Sequence, residues 1–315
     1  MREKELRLAL ICYGGVSLAI YMHGVTREIW HLVRASRFFH DHIPDNGGSE
    51  AVYCDLIAAL ENQSGVRMRA FTDIIAGSSA GGINGVFLAQ AIVTGQSLEP
   101  LTDMWLANAD VETLLDPDAR PFSRFSKFWA IPIAWLILRR RGGVIERTVS
   151  KEARDEVATK LSKFVRARWF KPPFGGPGFS ALLFNALDAM AAAPAGSPLI
   201  PENQPLDLFV TVTDFAGHDQ MLKLNSPGMV VESEHRVTIS FTTRTGTGTA
   251  LAEIPDLVFA ARATASFPGA FPPFSARELD GLVTSRQTSW PGREAFLMRT
   301  LPQQYALGTA SDASY

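Results

Sequence analysis

The chain has 315 residues, 46% hydrophobic and 20% charged, with a formal net charge of −2 and a pI of about 6.3. This is globular composition with apolar mass for a large core, and the near-neutral balance excludes a global basic field for nucleic acid, so any charged partner must meet a local patch. The two cysteines, Cys12 and Cys54, lie far apart, which excludes a CxxC or metal-ligand spacing and a disulfide framework and suits a reducing, cytoplasmic setting.

The N-terminal "MREKELRLALICYGGVSLAIYM" has charges followed by an apolar run, as a secretory signal does. Glu3 and Glu5, the break at Gly14-Gly15, and His23 where a small-residue cleavage site belongs all argue against one. No apolar stretch reaches the ~18–20 residues of a membrane-spanning helix.

Residues 6–12, "LRLALIC", form a short apolar run ending at Gly14-Gly15, the signature of a strand buried on both faces of a parallel sheet. Residues 17–36 carry Leu18, Tyr21, Met22, Val25, Ile29 and Leu32 near a 3.6-residue period and predict a helix. A loop over 37–49 and a helix over 50–61 follow. A strand ends at Ala76, and a helix over 80–94 closes at Gly95. The order β, α, α, β, α predicts a parallel α/β sheet. Farther on, helices are predicted over 98–115, near 179–192 and over 255–265, with strands over 206–213 and 235–241. "SFPGAFPPF" follows the last of these helices, and its prolines forbid continuation. The chain has no internal repeat and no low-complexity tract.

"IIAGSSAGG", residues 74–82, places Gly77-Ser78-Ser79-Ala80-Gly81 at a strand-to-helix junction. This G-x-S-x-G spacing holds the middle serine on a sharp bend above the sheet edge, where a following helix N-terminus favours developing negative charge. Ser79 is therefore the candidate catalytic nucleophile, with Gly77 and Gly81 giving the clearance the bend needs. The alternative is a tight βα turn in which Ser79 only caps the helix. A phosphate loop lacks its Gly-Lys-Ser/Thr ending. In a parallel sheet the loops after successive strands share one edge, so Gly14, Gly15 and Val16 can offer backbone N–H groups as an oxyanion hole, each donor worth about 10²–10³ in rate. Gly14-Gly15 as a plain strand–helix turn is the alternative there.

For the base, His218 and His235 are the two histidines after Ser79. A carboxylate acting directly on serine, a Ser–Asp dyad, is the other option. No ligand cluster is present, so no metal and no organic cofactor is expected.

Three stretches together, "CYGGVSLAIYMHG", "IIAGSSAGGINGVFLA" and "ARATASFPGAFPPF", resemble the patatin-like phospholipase family. "LDLFVTVTDFAGHD" is also similar, especially to a bacterial subgroup with long C-terminal extensions. The resemblance implies a three-layer α/β/α sandwich with a mostly parallel central sheet, in a single patatin-like catalytic domain over 1–315, incomplete at its C-terminus. It implies a lipid acyl hydrolase working through an acyl-serine intermediate of a Ser–Asp dyad without histidine. Ser79 matches the nucleophile, and Gly14 and Gly15 match the oxyanion loop. Tyr13 stands where the family has its first glycine, and Ser17 where it has a basic residue. The family's Asp-Gly-Gly has one counterpart here, Asp280-Gly281. Leu282 and the helix-like "SARELDGLVTSRQ" weaken that match, so the catalytic aspartate is expected beyond Tyr315. An acyltransferase on the same chemistry and a non-catalytic lipid-binding module are the alternatives.

Residues 128–138, "FWAIPIAWLIL", precede Arg139-Arg140-Arg141. Eleven apolar residues with Trp129 and Trp135 beside cations suit an interfacial segment, so 128–141 is a candidate for peripheral membrane contact. A core helix kinked at Pro132 is the other reading. The expected partner is a lipid or acyl-ester substrate, not nucleic acid.

Overall fold

β1 (Arg2–Cys12) and β2 (Val66–Ser78) pair in parallel, with Leu6 opposite Ala70 and Cys12 opposite Gly77. β3 (Asp207–Lys223) joins β2 in parallel over Ile74–Ser78, and β4 (Met229–Thr242) returns antiparallel along β3. The sheet order is β1-β2-β3-β4. The computed structural model describes residues 2–15, 18–45, 47–108, 175–194, 196–243, 251–268, 270–302, 304, 308, 310, 312, 314 and 315. The described helices are α1 (Ala19–Asp41), α2 (Gly48–Ser64), α3 (Ala80–Thr94), α4 (Glu99–Asn108), α5 (Gly176–Ala192), α6 (Ile254–Thr264), α7 (Ala276–Ser285) and α8 (Arg293–Thr300). This is the expected α/β sandwich around a mostly parallel sheet.

α3 is its central helix. Every residue from Ala80 to Val93 is buried. A helix that is apolar all round must be covered all round, and this one packs against α1, α6, β2 and β3. Small residues let it approach the sheet. A β-carbon on Gly85 would stand 3.2 Å from Ile75 Cγ2 and 3.7 Å from Leu208 Cδ1. Its two buried amides are tied to neighbours. Asn84 Nδ2 donates to Ala19 O at 3.0 Å, and Gln90 Oε1 accepts from Leu251 N at 3.2 Å.

β3 reaches only the last residues of β2, so among the described residues the first half of β2 has no strand on that edge. α1 closes part of it. Ala70 N donates to Ser36 Oγ at 2.8 Å, and His40 Nε2 lies 3.2 Å from Met68 O. Unpaired strand groups left dry would each be costly, which explains two polar residues on the inner side of α1.

Several boundaries differ from the sequence expectations. β1 starts at Arg2, because its charged residues sit on an edge strand whose backbone pairs with Val66–Arg69. α1 continues through the predicted loop to Asp41, held by an Arg37–Asp41 ion pair one turn apart at 2.5 Å. β3 and β4 extend into a long hairpin that pairs His218–Lys223 with Met229–Glu234 beyond an irregularity after Thr213. His218 and His235 therefore lie within strands, beyond the predicted end of one at 213 and inside one predicted to start at 235. α8 was not expected. It is short, and Phe296 and Leu297 anchor it in the core. α4 is described over Glu99–Asn108, and the rest of the helix predicted over 98–115, like the 128–141 segment, lies outside the described residues. No helix among the described residues is long and apolar enough to cross a membrane. Cys12 and Cys54 are free.

α6 begins with Asp256 buried in its first turn, its Oδ1 accepting from Trp290 Nε1 at 2.7 Å. Burial pushes this carboxyl up to about 6, against the smaller opposing effect of the indole hydrogen bond. A raised carboxyl pKa means that the folded state holds the proton more tightly than the unfolded chain. The stabilisation is therefore full below the unfolded value near 3.8 and is lost as pH rises through about 6. Asp256→Asn keeps an acceptor for Trp290 and should remove up to about 3 kcal/mol of this pH dependence. Urea melts of both proteins from about pH 4 to about pH 7 check this: the parent loses stability across that window more steeply than the variant.

Candidate active site

β2 ends at Ser78, and α3 begins at Ala80. The residue between them, Ser79, has φ 52° and ψ −128°, a left-handed backbone conformation that a side chain opposes. Such a residue costs about 1–3 kcal/mol and persists only where its surroundings over-determine it. Two contacts do so. Ser79 N donates to Thr264 Oγ1 at 2.7 Å, and Thr264 Oγ1 donates to Thr211 O at 2.7 Å. Ser79 O accepts from Ile83 N at 3.0 Å, opening the first turn of α3. Thr264 is the last residue of α6, and Thr211 lies beside Ser78 across the β2–β3 ladder. Three elements therefore hold one bend.

The glycines show how close the packing is. A β-carbon on Gly77 would stand 2.6 Å from Gly81 O, and one on Gly81 would stand 2.1 Å from Cys12 O. One on Gly82 would meet Thr264 Cγ2 at 2.8 Å. The bend is thus packed against the end of β1 as well as against α6. Gly14 lies directly on it: its absent β-carbon would stand 2.4 Å from Ser79 Cβ, 2.7 Å from Ser78 O and 3.2 Å from Ser79 Oγ. Gly15 is less confined. Its nearest neighbour would be the flexible end of Leu18, Cδ1 at 2.7 Å. Ser79, Gly14 and Gly15 are all half-buried, so the hydroxyl and the loop share access to solvent. Asn84, donating to Ala19 O, ties the start of α1 to α3 and so fixes the far end of this loop.

Behind Thr264 the Pro-rich turn is braced by a fully buried cation. Arg262 donates to Ser266 Oγ at 2.7 Å and to Pro272 O at 3.2 Å, and its guanidinium faces the Phe271 and Phe274 rings. Its Nε stands 3.4 Å from Glu278 Oε1, which also accepts from Ser180 Oγ at 2.5 Å. Burial lowers the Arg262 pKa, and Glu278 works against that shift.

The sequence candidates for a base are placed elsewhere. Asp280, on α7, accepts from Arg293 at 2.7 and 2.8 Å. His235 Nδ1 lies 2.8 Å from Asp214 O, and His218 Nδ1 is buried without a partner among the described residues. No carboxylate or imidazole among the described residues hydrogen-bonds to the Ser79 hydroxyl. Asp214, fully buried, accepts from Ala216 N at 3.1 Å and from Gln304 Nε2 at 2.6 Å. Nearby, Tyr315 and Phe274 exchange two backbone hydrogen bonds at 3.0 Å each, and Phe215 N donates to Ser314 O at 2.7 Å. Burial, and secondarily the Asp214 charge, push the Tyr315 hydroxyl far up.

Thr264, Thr211 and Arg262 were not singled out as site residues by sequence reasoning. "ARATASFPGAFPPF" was recognised as a unit, but the role of its threonine depends on a partner 185 positions away, and no local signal carries that.

A serine on a strained bend after a parallel strand, with a glycine loop from the neighbouring strand against it, defines an α/β protein of the serine-elbow kind. The comparisons agree with this. Residues 10–286 match the family described as patatin-like phospholipase, and the chain belongs to that family. It is also similar to an uncharacterized membrane protein of Mycobacterium tuberculosis, Rv3479, being 30% identical over 286 residues. That match covers 86% of this chain and 21% of the relative, so the chain spans about a fifth of the relative's length. No solved structure matches the chain significantly.

The packing makes the glycines unequal. Gly81→Ala, with a carbonyl where its β-carbon belongs, should lose about 3 kcal/mol or more. Gly24→Ala, in the middle of α1 with nothing within 4 Å, should gain about 0.5–1 kcal/mol from helix propensity. Urea denaturation of the two variants beside the parent gives both values.

Proposed function

We propose that the chain is the catalytic unit of a lipid acyl hydrolase that works through an acyl-serine intermediate. Ser79 Oγ attacks the ester carbonyl carbon, and its proton passes to an aspartate. The carbonyl oxygen becomes an oxyanion held by backbone N–H groups of the Gly14-Gly15 loop. Collapse breaks the ester C–O bond, and the departing alcohol takes the proton. Water then adds to the acyl-serine by the same route in reverse order. Gly77 and Gly81 serve by leaving room for the bend.

The observation that carries this reading is the contact of Gly14 with the strained Ser79: two loops from neighbouring parallel strands meet at one hydroxyl. Family membership supports a lipid substrate. The proton acceptor is proposed to be an aspartate following Tyr315. The hydrogen bond from Phe215 N on β3 to Ser314 O, next to the two-way pairing of Tyr315 with Phe274, supports this because it brings the chain beside β3. Asp280 is a poorer choice, since both its oxygens are taken by Arg293. A non-catalytic lipid-binding module is the second reading, favoured by the lack of a base on Ser79 among the described residues.

A fluorophosphonate probe and a p-nitrophenyl acyl ester test the proposal on the chain expressed with the residues that follow it in its gene. Labelling and hydrolysis should both vanish in Ser79→Ala. Thr264→Val, which keeps shape but loses the hydroxyl that holds Ser79 N–H, should label at least about tenfold more slowly, and Thr264→Ser should recover most of the rate. Hydrolysis that persists in Ser79→Ala sinks the reading. Absence of both labelling and ester turnover favours the binding module.

A further inference from the structure

Four Phe, Trp or Tyr side chains among the described residues are strongly exposed: Tyr13, Tyr21, Phe215 and Phe267, at 75%, 67%, 79% and 57%. They come from three distant parts of the sequence, yet all lie on segments that meet the sheet edge that carries Ser79. Tyr13 precedes Gly14, which packs on Ser79. Tyr21 is in the first turn of α1, on the same connection. Phe267 follows three residues after Thr264, the hydrogen-bond partner of Ser79 N. Phe215 lies on β3 four residues past Thr211, where that strand runs beyond its pairing with β2. Leu18 and Ile20, both exposed, add aliphatic surface between them.

Around Tyr13, Tyr21 and Phe267 the rim is uncharged: residues 13–26, 74–98 and 263–276 contain no Lys, Arg, Asp or Glu. Phe215 follows the buried Asp214 and lies opposite the stretch of β4 that holds the Glu234–Arg236 ion pair, so the charges beside it are paired or buried. Exposed aromatic rings on three segments that share one sheet edge suit an interaction surface. Absence of charge selects against an anionic or cationic partner, for which a surface site needs complementary groups. The position selects further. A protein seated on this rim would cover Ser79, whereas a lipid surface brings its esters to it. Amphipathic rings such as Tyr, and Phe beside them, are the side chains that settle at the headgroup boundary.

We propose that Tyr13, Tyr21, Phe215 and Phe267 form the docking surface for an electrically neutral lipid interface of zwitterionic, phosphatidylcholine type. The inference rests on the ester-hydrolase reading for its choice of partner, but docking needs no chemistry. The basic 128–141 segment would instead favour anionic lipid, so lipid charge and salt separate the two.

The test is cosedimentation of the full chain carrying Ser79→Ala with phosphatidylcholine vesicles and with vesicles containing phosphatidylserine. The expected result is binding to phosphatidylcholine that changes less than about twofold between about 50 and 500 mM salt. The double variant Phe215→Ser/Phe267→Ser should weaken it at least about tenfold. Val52→Ser/Leu56→Ser, on the exposed side of α2, should leave it unchanged. If the double variant melts early, Tyr13→Ser alone should give a smaller loss in the same direction. Absence of phosphatidylcholine binding overturns the proposal, as does binding indifferent to the rim variants or lost equally in the α2 variant. Binding that needs phosphatidylserine and disappears in salt overturns it too. A chain that ignores vesicles but forms dimers, lost in the double variant, assigns the rim to a second copy and overturns the lipid surface. Because Ser79→Ala cannot form an acyl-enzyme, failure of docking and failure of the hydrolase reading appear in separate experiments.

Discussion

The hydrogen bond from Ser79 N to Thr264 Oγ1 is the constraint around which the site is built. Ser79 occupies a backbone region that only glycine enters freely. Left alone, the chain would relax toward an ordinary strand-to-helix turn, and the hydroxyl would turn with it. The amide cannot relax, because its acceptor is itself anchored to the Thr211 carbonyl. Thr211 belongs to the strand beside β2, so the bend is referenced to the sheet itself. The carbonyl of Cys12, 2.1 Å from where a Gly81 β-carbon would lie, closes the bend from the other side.

That geometry explains choices of residue well beyond the site. α3 begins with Ala80, Gly81 and Gly82 because three neighbours approach within contact distance there, and it continues apolar because no side of it reaches water. α6 has to end at a fixed height for Thr264 to reach Ser79. Arg262 helps to fix that height by bonding Ser266 and Pro272 across the turn, with Glu278 as its counter-charge. A buried cation is a costly brace, and removal of one member of such a pair commonly loses about 3–5 kcal/mol. Its presence directly behind the bend fits a need for one backbone path through the Pro-rich turn.

The chain is a member of the patatin-like phospholipase family. The residue before its Gly14-Gly15 pair, Tyr13, is exposed and amphipathic and carries no charge. Phe215 and Phe267, also exposed, lie on the segments that carry Thr211 and Thr264, the two threonines that anchor the bend.

Much of this fold could be read locally. β2, α3 and the bend between them were legible because a buried strand, a glycine–serine–glycine turn and an all-apolar helix each leave a continuous trace within a few residues. The pairing of the Gly14-Gly15 loop with the bend was legible from topology, since parallel neighbours end on one edge. The length of α1, the extended β3–β4 hairpin and α8 were not. Each is decided by partners far away: the edge of β2 for α1, the second strand for the hairpin, and the aromatic cluster around Phe259 for Phe296. The sequence by itself determined the fold class, the serine and the glycines around it, because these depend on local conformational limits and hydrophobic period. Tertiary structure alone decided that Thr264 holds Ser79, that Arg293 occupies Asp280, and that Tyr13, Phe215 and Phe267 are exposed on the segments that meet at the bend. Hydrogen bonds, ion pairs and surfaces of this kind form between segments brought together by the packed core, and no spacing within the chain encodes them.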